Sequence, residues 1–284
     1  MNLAKSLTTL NMALASAAAL AGAETPPEDR IRAADEKYAA LFAAERTPSA
    51  TDPEFMNILQ HFIFGEVFRI GELDDATREL ITVVSLTTLQ ALPQLKAHVA
   101  AAMNAGCSPL EIREAVYLCA PIIGFPRTLN AVAVFNEVMK EKGVALPLED
   151  AATVSEGNRR AEGARIQNAL YGDEVQNSMR NLPGIYKDAV PDMLTDLCFG
   201  DFYTRAGLSV RRRELLSLVA LTALGAEKQL KAHVVGNLRA GNGKETMLAA
   251  MVQAAPYVGL PNALTAIAVI KDAEIENYAP IYGE

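Results

Sequence analysis

The sequence contains one module twice, and this internal repeat constrains the fold more than any other feature. The hexapeptide QLKAHV occupies residues 94–99 and again residues 229–234, a shift of 135 positions. The same shift carries the tripeptide REL at 78–80 onto 213–215, and the register holds over about residues 73–134 without a net gap. Agreement of this length indicates a duplication. We therefore expect two domains with the same architecture.

The repeats can be delimited approximately. Their match weakens towards the start of each copy, where Gly65 still aligns with Gly200. We predict repeat one over residues 28–145, a polar linker over 146–158 and repeat two over 159–284. Each repeat then has the length of an ordinary domain.

The composition favours helices. Half of the 284 residues are apolar, tryptophan is absent, and aromatic residues make up 6% of the chain. Abundant alanine and leucine with few aromatic residues are typical of packed helices. The formal net charge of −8 argues against a nucleic-acid partner, since phosphate binding needs a concentrated basic surface.

Proline, glycine and capping residues divide repeat one into amphipathic helices. Between these signals, apolar residues recur at helical spacing. Ser108 and Glu111 form a capping box around Pro109. Helices are predicted to begin near Pro53, Asp74, Pro93, Pro109 and Pro126. The sequence therefore predicts an all-α fold.

The first residues have the layout of an export signal. Lys5 precedes a stretch rich in alanine and leucine over residues 12–21, which ends in Ala-Gly-Ala at 21–23. The stretch is too short for a membrane span. We expect cleavage near Ala23 and a periplasmic or secreted protein, with an Ala-rich helix of a cytoplasmic protein as the alternative.

Two histidines lie at corresponding positions of the repeats and are the leading candidates for chemistry. His98 follows Glu79 by 19 residues, and His233 follows Glu214 by 19 residues. Histidine exchanges a proton near neutral pH, and a carboxylate commonly orients it. In a simple antiparallel hairpin the two side chains would be offset by roughly 8 Å along the helix axis. Direct contact, a splayed crossing, a bridging water and a neighbouring subunit all remain open.

Other readings of these residues also remain open. Glu79 could pair with Arg78 or Lys96, and a histidine in mid-helix is often a hydrogen-bonded core residue. Glu114 shares one face of its helix with Glu111 and is a further candidate partner for the histidine of repeat one.

Metal and thiol chemistry have little support in the sequence. Neither repeat has two histidines or cysteines at the helical spacing of metal ligands. The three cysteines, Cys107, Cys119 and Cys198, do not form a disulfide framework and are best explained as small buried residues.

Taken in order, these residues resemble the carboxymuconolactone decarboxylase family. Both copies have R-E-L, then L-x-x-H, then A-G before a further helix, then P-x-x-G-x-P. The resemblance covers most of the chain and implies two tandem helical domains of the alkylhydroperoxidase-D-like fold. It also implies a homo-oligomer, since single-module relatives assemble into rings.

The resemblance separates two kinds of chemistry. The alkylhydroperoxidase-D branch carries a CxxC motif before the histidine, but this chain has Ala91 and Gln94 there, and Ala226 and Gln229 in repeat two. A peroxidase-type oxidoreductase is therefore the disfavoured alternative, because its thiol nucleophile is missing. A non-catalytic binding or assembly module is the other alternative.

The decarboxylase branch implies a carboxy-lyase that needs neither an organic cofactor nor a metal. The resemblance implies catalytic pairs Glu79 with His98 and Glu214 with His233, and Glu114 is added as a further catalytic candidate. The implied partner is a small carboxylated lactone or keto acid. On charge alone, four cations are predicted to bind its carboxylate: Arg78, Lys96, Arg213 and Lys231.

Overall fold

The structure is a computed structural model that describes residues 27–274 and 280–282. Within these residues the chain forms helices and no strand, which confirms the predicted all-α class. The predicted export signal at residues 1–23 lies outside the described residues. In the part of the chain that the structure describes, no helix is long and apolar enough to cross a membrane.

Repeat one consists of seven α-helices and a short 3-10 turn within its described residues. In chain order these are α1 (Pro27–Phe42), α2 (Pro53–Gly65), the 3-10 turn (Val67–Arg69), α3 (Asp75–Leu89), α4 (Leu92–Asn104), α5 (Pro109–Leu118), α6 (Ala120–Ile123) and α7 (Phe125–Glu141).

Repeat two follows the same plan with local changes. Its elements are α8 (Arg159–Tyr171), α9 (Glu174–Met179), α10 (Tyr186–Met193), a π-helix (Leu194–Tyr203), α11 (Val210–Leu224), α12 (Glu227–Arg239), α13 (Lys244–Val258) and α14 (Leu260–Asp272). Its segments before α11 are divided differently, and the single helix α13 takes the place of α5 and α6. The π-helix occupies the position of the end of α2 and the 3-10 turn in repeat one. π-helical segments are often found at functional sites.

Local capping explains why the helices begin where they do. The side chain of Asp74 accepts a hydrogen bond of 2.6 Å from the Thr77 amide at the start of α3. The capping box of Ser108 and Glu111 is present at the start of α5. These helix starts were predicted from the sequence.

One hydrophobic core runs through both repeats. The equivalent helices α3 and α11 pack against each other at its centre. In addition, α3 packs against α13 of repeat two, and α11 packs against α5 of repeat one. The helix that carries the candidate glutamate in each repeat is therefore flanked by a helix of the other repeat.

Candidate active sites

Each repeat contains a Glu–His pair between two consecutive helices. In repeat one, Oε2 of Glu79 on α3 lies 2.8 Å from Nδ1 of His98 on α4. In repeat two, Oε2 of Glu214 on α11 lies 3.1 Å from Nδ1 of His233 on α12. Both carboxylates are fully buried. Of the arrangements left open by the sequence, the structure has direct contact within one chain, which leaves Nε2 of each ring for a substrate.

The glutamate of repeat two accepts hydrogen bonds from two tyrosines. Tyr171 Oη donates to Glu214 Oε2 at 2.7 Å and lies 3.0 Å from His233 Nδ1. Tyr203 Oη donates to Glu214 Oε1 at 2.8 Å and lies 2.9 Å from Ser217 Oγ. Donors on both oxygens compensate for the loss of water around a buried carboxylate.

The two tyrosine hydroxyls remain protonated. Burial, with the nearby negative charge of Glu214 as a further cause, raises the pKa of Tyr171 and of Tyr203 well above the ordinary value. Both hydroxyls are therefore hydrogen-bond donors to the carboxylate across the pH range in which proteins are normally studied.

Repeat one has phenylalanine at both of these positions. Phe42 ends α1 as Tyr171 ends α8, and in both cases the next residue has a positive φ, of 50° and 56° respectively. The Phe42 ring centre lies 5.5 Å from that of His98, and the Tyr171 ring centre lies 5.6 Å from that of His233. The aromatic packing is conserved between the repeats, but the hydroxyl is absent from repeat one.

The second difference follows the shift of 135 positions. Phe68 corresponds to Tyr203, so the other hydroxyl is absent as well. Oε1 of Glu79 is buried and has no hydrogen-bond partner among the described residues. A buried acceptor without a partner is costly, so this oxygen is available to a hydroxyl, a water or a substrate group.

Gly236 on α12 makes room for one of the hydroxyls. A Cβ at this position would clash with the Tyr171 hydroxyl and would lie 2.6 Å from Glu214 Oε2. The equivalent residue in repeat one is Ala101, opposite the ring of Phe42. Repeat two thus has glycine and tyrosine at the two positions where repeat one has alanine and phenylalanine.

Each site also includes a residue of the other repeat. The ring of Tyr257, on α13 of repeat two, meets the ring of His98 edge-on at 5.6 Å between centres. Burial, with the negative charge of Glu79 second, raises the pKa of Tyr257 above its ordinary value. Tyr257 corresponds to Ile122, which lines a cavity beside His233. The two sites are therefore built reciprocally.

The cavity beside His233 has a volume of about 200 Å³. Pockets for drug-sized ligands typically occupy roughly 300–1,000 Å³, so this one suits a smaller molecule. Its lining comprises Leu118, Pro121, Ile122, Tyr171, Val175, Leu194, Cys198, Phe199, Tyr203, Ser217, Gln229, Ala232 and His233.

One cysteine lines this cavity, but none of the three is poised as a nucleophile. Burial raises the pKa of the Cys198 thiol to about 11 and those of Cys107 and Cys119 to about 12. At neutral pH these groups are thiols rather than the thiolates that attack peroxides. The position of Cys198 in the cavity was not predicted from the sequence.

The two arginines predicted to bind substrate are instead buried against the main chain. Arg78 donates to the carbonyl oxygens of Val67, Ile70, Gly71 and Leu73. Arg213 donates to the carbonyl oxygens of Arg205 and Ala206. The structure thus gives both guanidinium groups a structural role, in place of the substrate contact predicted from charge.

Glu114 does not join the Glu–His pair of repeat one. It is fully buried and contacts Arg205 at 2.8 and 3.0 Å, Arg113 at 3.2 Å and Arg213 at 3.4 Å. The prediction of Glu114 as a partner of His98 is therefore corrected. A buried carboxylate needs cationic neighbours, and repeat two supplies two of the three.

The two lysines predicted to bind substrate form ion pairs on the surface. Lys96 donates to Glu137 at 2.6 Å and to Glu141 at 2.7 Å. Lys231 pairs with Glu227 at 2.8 Å, one helical turn away. The structure therefore does not bring these ammonium groups to the Glu–His pairs.

Three tyrosines near the pairs were missed in the sequence. At the shift of 135, Tyr203 replaces Phe68 and Tyr257 replaces Ile122, and these changes in polarity are visible in the aligned repeats. Tyr171 matches the aromatic end of α1 only at a shift of 129, which hides it from the main alignment.

Parts of both repeats are similar in sequence to known proteins. The model of the carboxymuconolactone decarboxylase family matches residues 53–137 and 188–272, together more than half of the chain. The chain is 32% identical over 92 residues to a 4-carboxymuconolactone decarboxylase of Acinetobacter baylyi, covering 32% of this chain and 69% of that protein. It is 29% identical over 121 residues to a nitrosuccinic acid decarboxylase of Metarhizium robertsii, covering 42% of this chain and 84% of that protein.

Proposed function

The chain belongs to the carboxymuconolactone decarboxylase family, and we propose that it is a cofactor-independent carboxy-lyase acting on a small carboxylated lactone or keto acid. The observation that carries the proposal is the Glu–His pair with a fully buried carboxylate, present in both repeats with the same pair of atoms in contact. Both relatives described above are named as decarboxylases, which supports the reaction class.

The pair suits the proton transfer that a decarboxylation requires. When the substrate carboxylate leaves as CO2, the electron pair of the broken bond passes to the neighbouring carbonyl and forms an enolate. The histidine, as imidazolium, then delivers the Nε2 proton to carbon and takes a new proton from water. The glutamate holds Nδ1–H and balances the charge on the ring.

The proposal is tested by following CO2 release and the loss of ultraviolet absorbance with γ-carboxymuconolactone, β-keto acids and nitrosuccinate. General acid catalysis contributes about 10²–10⁴-fold, so the double variant His98→Gln/His233→Gln should lose turnover by about that factor. The matched control is Lys96→Gln/Lys231→Gln, which changes exposed residues of the same two helices. Turnover retained by the folded histidine double variant would contradict the proposal.

We further propose that the chain assembles with copies of itself. Exposed apolar side chains stand at equivalent positions of both repeats: Leu89 and Leu224, Phe125 and Leu260, and Leu129 and Leu264. Repeated apolar exposure suits a contact made twice per chain. Light scattering should give a smaller mass for Leu129→Glu/Leu264→Glu than for the wild type, whereas an unchanged mass would contradict the assembly.

For the N-terminus, we propose export with removal of residues 1–23. The support is the sequence pattern alone. N-terminal sequencing of the protein from cell fractions should find a chain that begins at Glu24 outside the cytoplasm. An intact N-terminus confined to the cytoplasm would contradict export.

A further inference from the structure

The cavity beside His233 is apolar over most of its wall. Leu118, Ile122, Val175, Leu194 and Phe199 contribute side chains without a polar atom. Such a surface binds hydrocarbon and offers no hydrogen bonds to a charged group. The chemistry of the ligand is therefore set by the few polar residues that remain.

Most of the polar groups in the lining are already committed to one another. The Tyr171 hydroxyl donates to Glu214, and the Tyr203 hydroxyl bridges Glu214 and Ser217. Apart from the weakly polar thiol of Cys198, the groups left for a ligand are Nε2 of His233 and the side-chain amide of Gln229, one helical turn earlier on α12. These two residues define a single polar edge.

Cations are missing from this lining. Among the residues that the structure describes, no arginine or lysine borders the cavity. Arg213 is held by Glu114 and by main-chain carbonyls, and Lys231 faces Glu227 on the surface. One carboxylate of a ligand can accept hydrogen bonds from His233 and Gln229, but a second would stand against apolar side chains without a donor or a counter-ion.

Part of the cavity wall comes from repeat one, through Leu118, Pro121 and Ile122. Ile122 is half-buried, and its equivalent in the other site is Tyr257, whose hydroxyl lies beside the Glu79 pair. The same position thus presents an aliphatic side chain to one site and a hydroxyl-bearing ring to the other.

We propose that the site of repeat two takes a small monoanion with an apolar body and rejects dianions, and that Ile122 of repeat one determines this specificity. The inference rests on the proposed function only in taking the cavity as the substrate site. It assigns to repeat two a substrate with one carboxylate, placed at His233 and Gln229, and a hydrocarbon part against the wall from repeat one.

The test uses three six-carbon probes that differ in charge: hexanoate, adipate and hexanamide. The chain has three histidines, so isotope-labelled histidine gives three ring signals in NMR, and the His233 signal reports this site separately from His98. At neutral pH, hexanoate should shift the His233 signal with a Kd roughly tenfold or more below those of adipate and hexanamide. Adipate binding as tightly as hexanoate, or hexanamide binding as tightly, would overturn the proposal.

The role of Ile122 is tested with Ile122→Arg and the matched control Ile122→Leu. The arginine should narrow or reverse the preference for hexanoate by supplying a counter-ion, whereas the leucine should leave it unchanged. An unperturbed His61 signal shows that each variant is folded. Unchanged selectivity in a folded Ile122→Arg protein would remove Ile122 from the proposal.

These outcomes are separable from the proposed lyase activity. If the protein prefers hexanoate but releases CO2 from no substrate, the proposed specificity is supported and the proposed lyase activity is contradicted. Conversely, CO2 release that depends on His233 and is faster with dicarboxylates than with monocarboxylates would leave the lyase standing and remove the specificity.

Discussion

The two candidate sites share their Glu–His pair and differ in the other hydrogen bonds to its carboxylate. Glu214 accepts hydrogen bonds from two tyrosine hydroxyls, whereas Oε1 of Glu79 has no hydrogen-bond partner among the described residues, and phenylalanines occupy the two equivalent positions. The duplication therefore preserved the atoms proposed to move the proton and allowed their support to change. Two sites whose glutamates have different hydrogen-bond partners can bind different substrates and still carry out the same proton transfer.

The largest expected effect separates the contributions of the two sites to turnover. His98→Gln and His233→Gln should each remove the activity of one repeat, by about 10²–10⁴-fold for the substrate used there. Kinetics of each single variant on the substrate panel measure this. If either variant lowers the turnover of every substrate by the same factor, the two sites do not act on different substrates.

The next effect concerns how each site is tied to the other repeat. Arg213 meets the charged Glu114, whereas Arg78 meets the neutral Gln253 at 3.2 Å. Glu114→Gln should lower the free energy of unfolding by about 3–5 kcal/mol, because it leaves buried arginines without a counter-ion. Gln253→Leu should cost about 1–3 kcal/mol. Urea unfolding compares them, and equal losses would show that the charge is not the distinguishing feature.

A smaller effect tests the tyrosine support directly. Tyr203→Phe should lower the free energy of unfolding by about 1.5–3 kcal/mol, since Glu214 then loses a donor. The reciprocal change, Phe68→Tyr, should raise stability by giving the unpartnered oxygen of Glu79 a donor. Thermal and urea unfolding of both variants check the two signs. A loss of stability in Phe68→Tyr would show that the aromatic positions are not equivalent.

The smallest effect concerns the space around the Tyr171 hydroxyl. Gly236→Ala should destabilise the protein by about 1–3 kcal/mol, because the added methyl group forces Tyr171 or Glu214 to move. The matched control, Ala101→Gly, should cost only about 0.5–1 kcal/mol, the usual penalty for glycine within a helix. Equal costs would mean that Gly236 is not needed for the tyrosine.

Local signals were sufficient to predict much of the fold. The capping box of Ser108 and Glu111 and the cap of Asp74 depend on neighbours within one helical turn, so the sequence reveals them directly. In repeat two, Ser209 caps α11 at the position of Asp74, whereas Gly243 stands at the position of Ser108 without a side-chain cap. The π-helix that ends at Tyr203 breaks the equivalence and was not predicted, because an extra residue within a helical turn leaves the apolar pattern almost unchanged.

The sequence identified those candidate site residues that recur in both repeats. Glu79 and His98 were identified because the pair recurs, but Glu114 was assigned to the wrong partner. Its partners Arg205 and Arg213 are 91 and 99 residues away in the sequence and lie in the other repeat. Charge alone also suggested Lys96, whereas burial and surface ion pairs decide which cations can meet a substrate. Contacts between the repeats arise only when the whole chain folds, so they could not be predicted from the sequence of either repeat alone.

The exchange of Ile122 and Tyr257 between the repeats has a consequence for heredity. A substitution at either position is encoded in one half of the gene, but it alters the site whose Glu–His pair is encoded in the other half. The two repeats cannot evolve as independent paralogues, because a substitution in one repeat changes the surroundings of the Glu–His pair in the other repeat. Fusion into a single reading frame keeps each wall and its matching pair together in every generation.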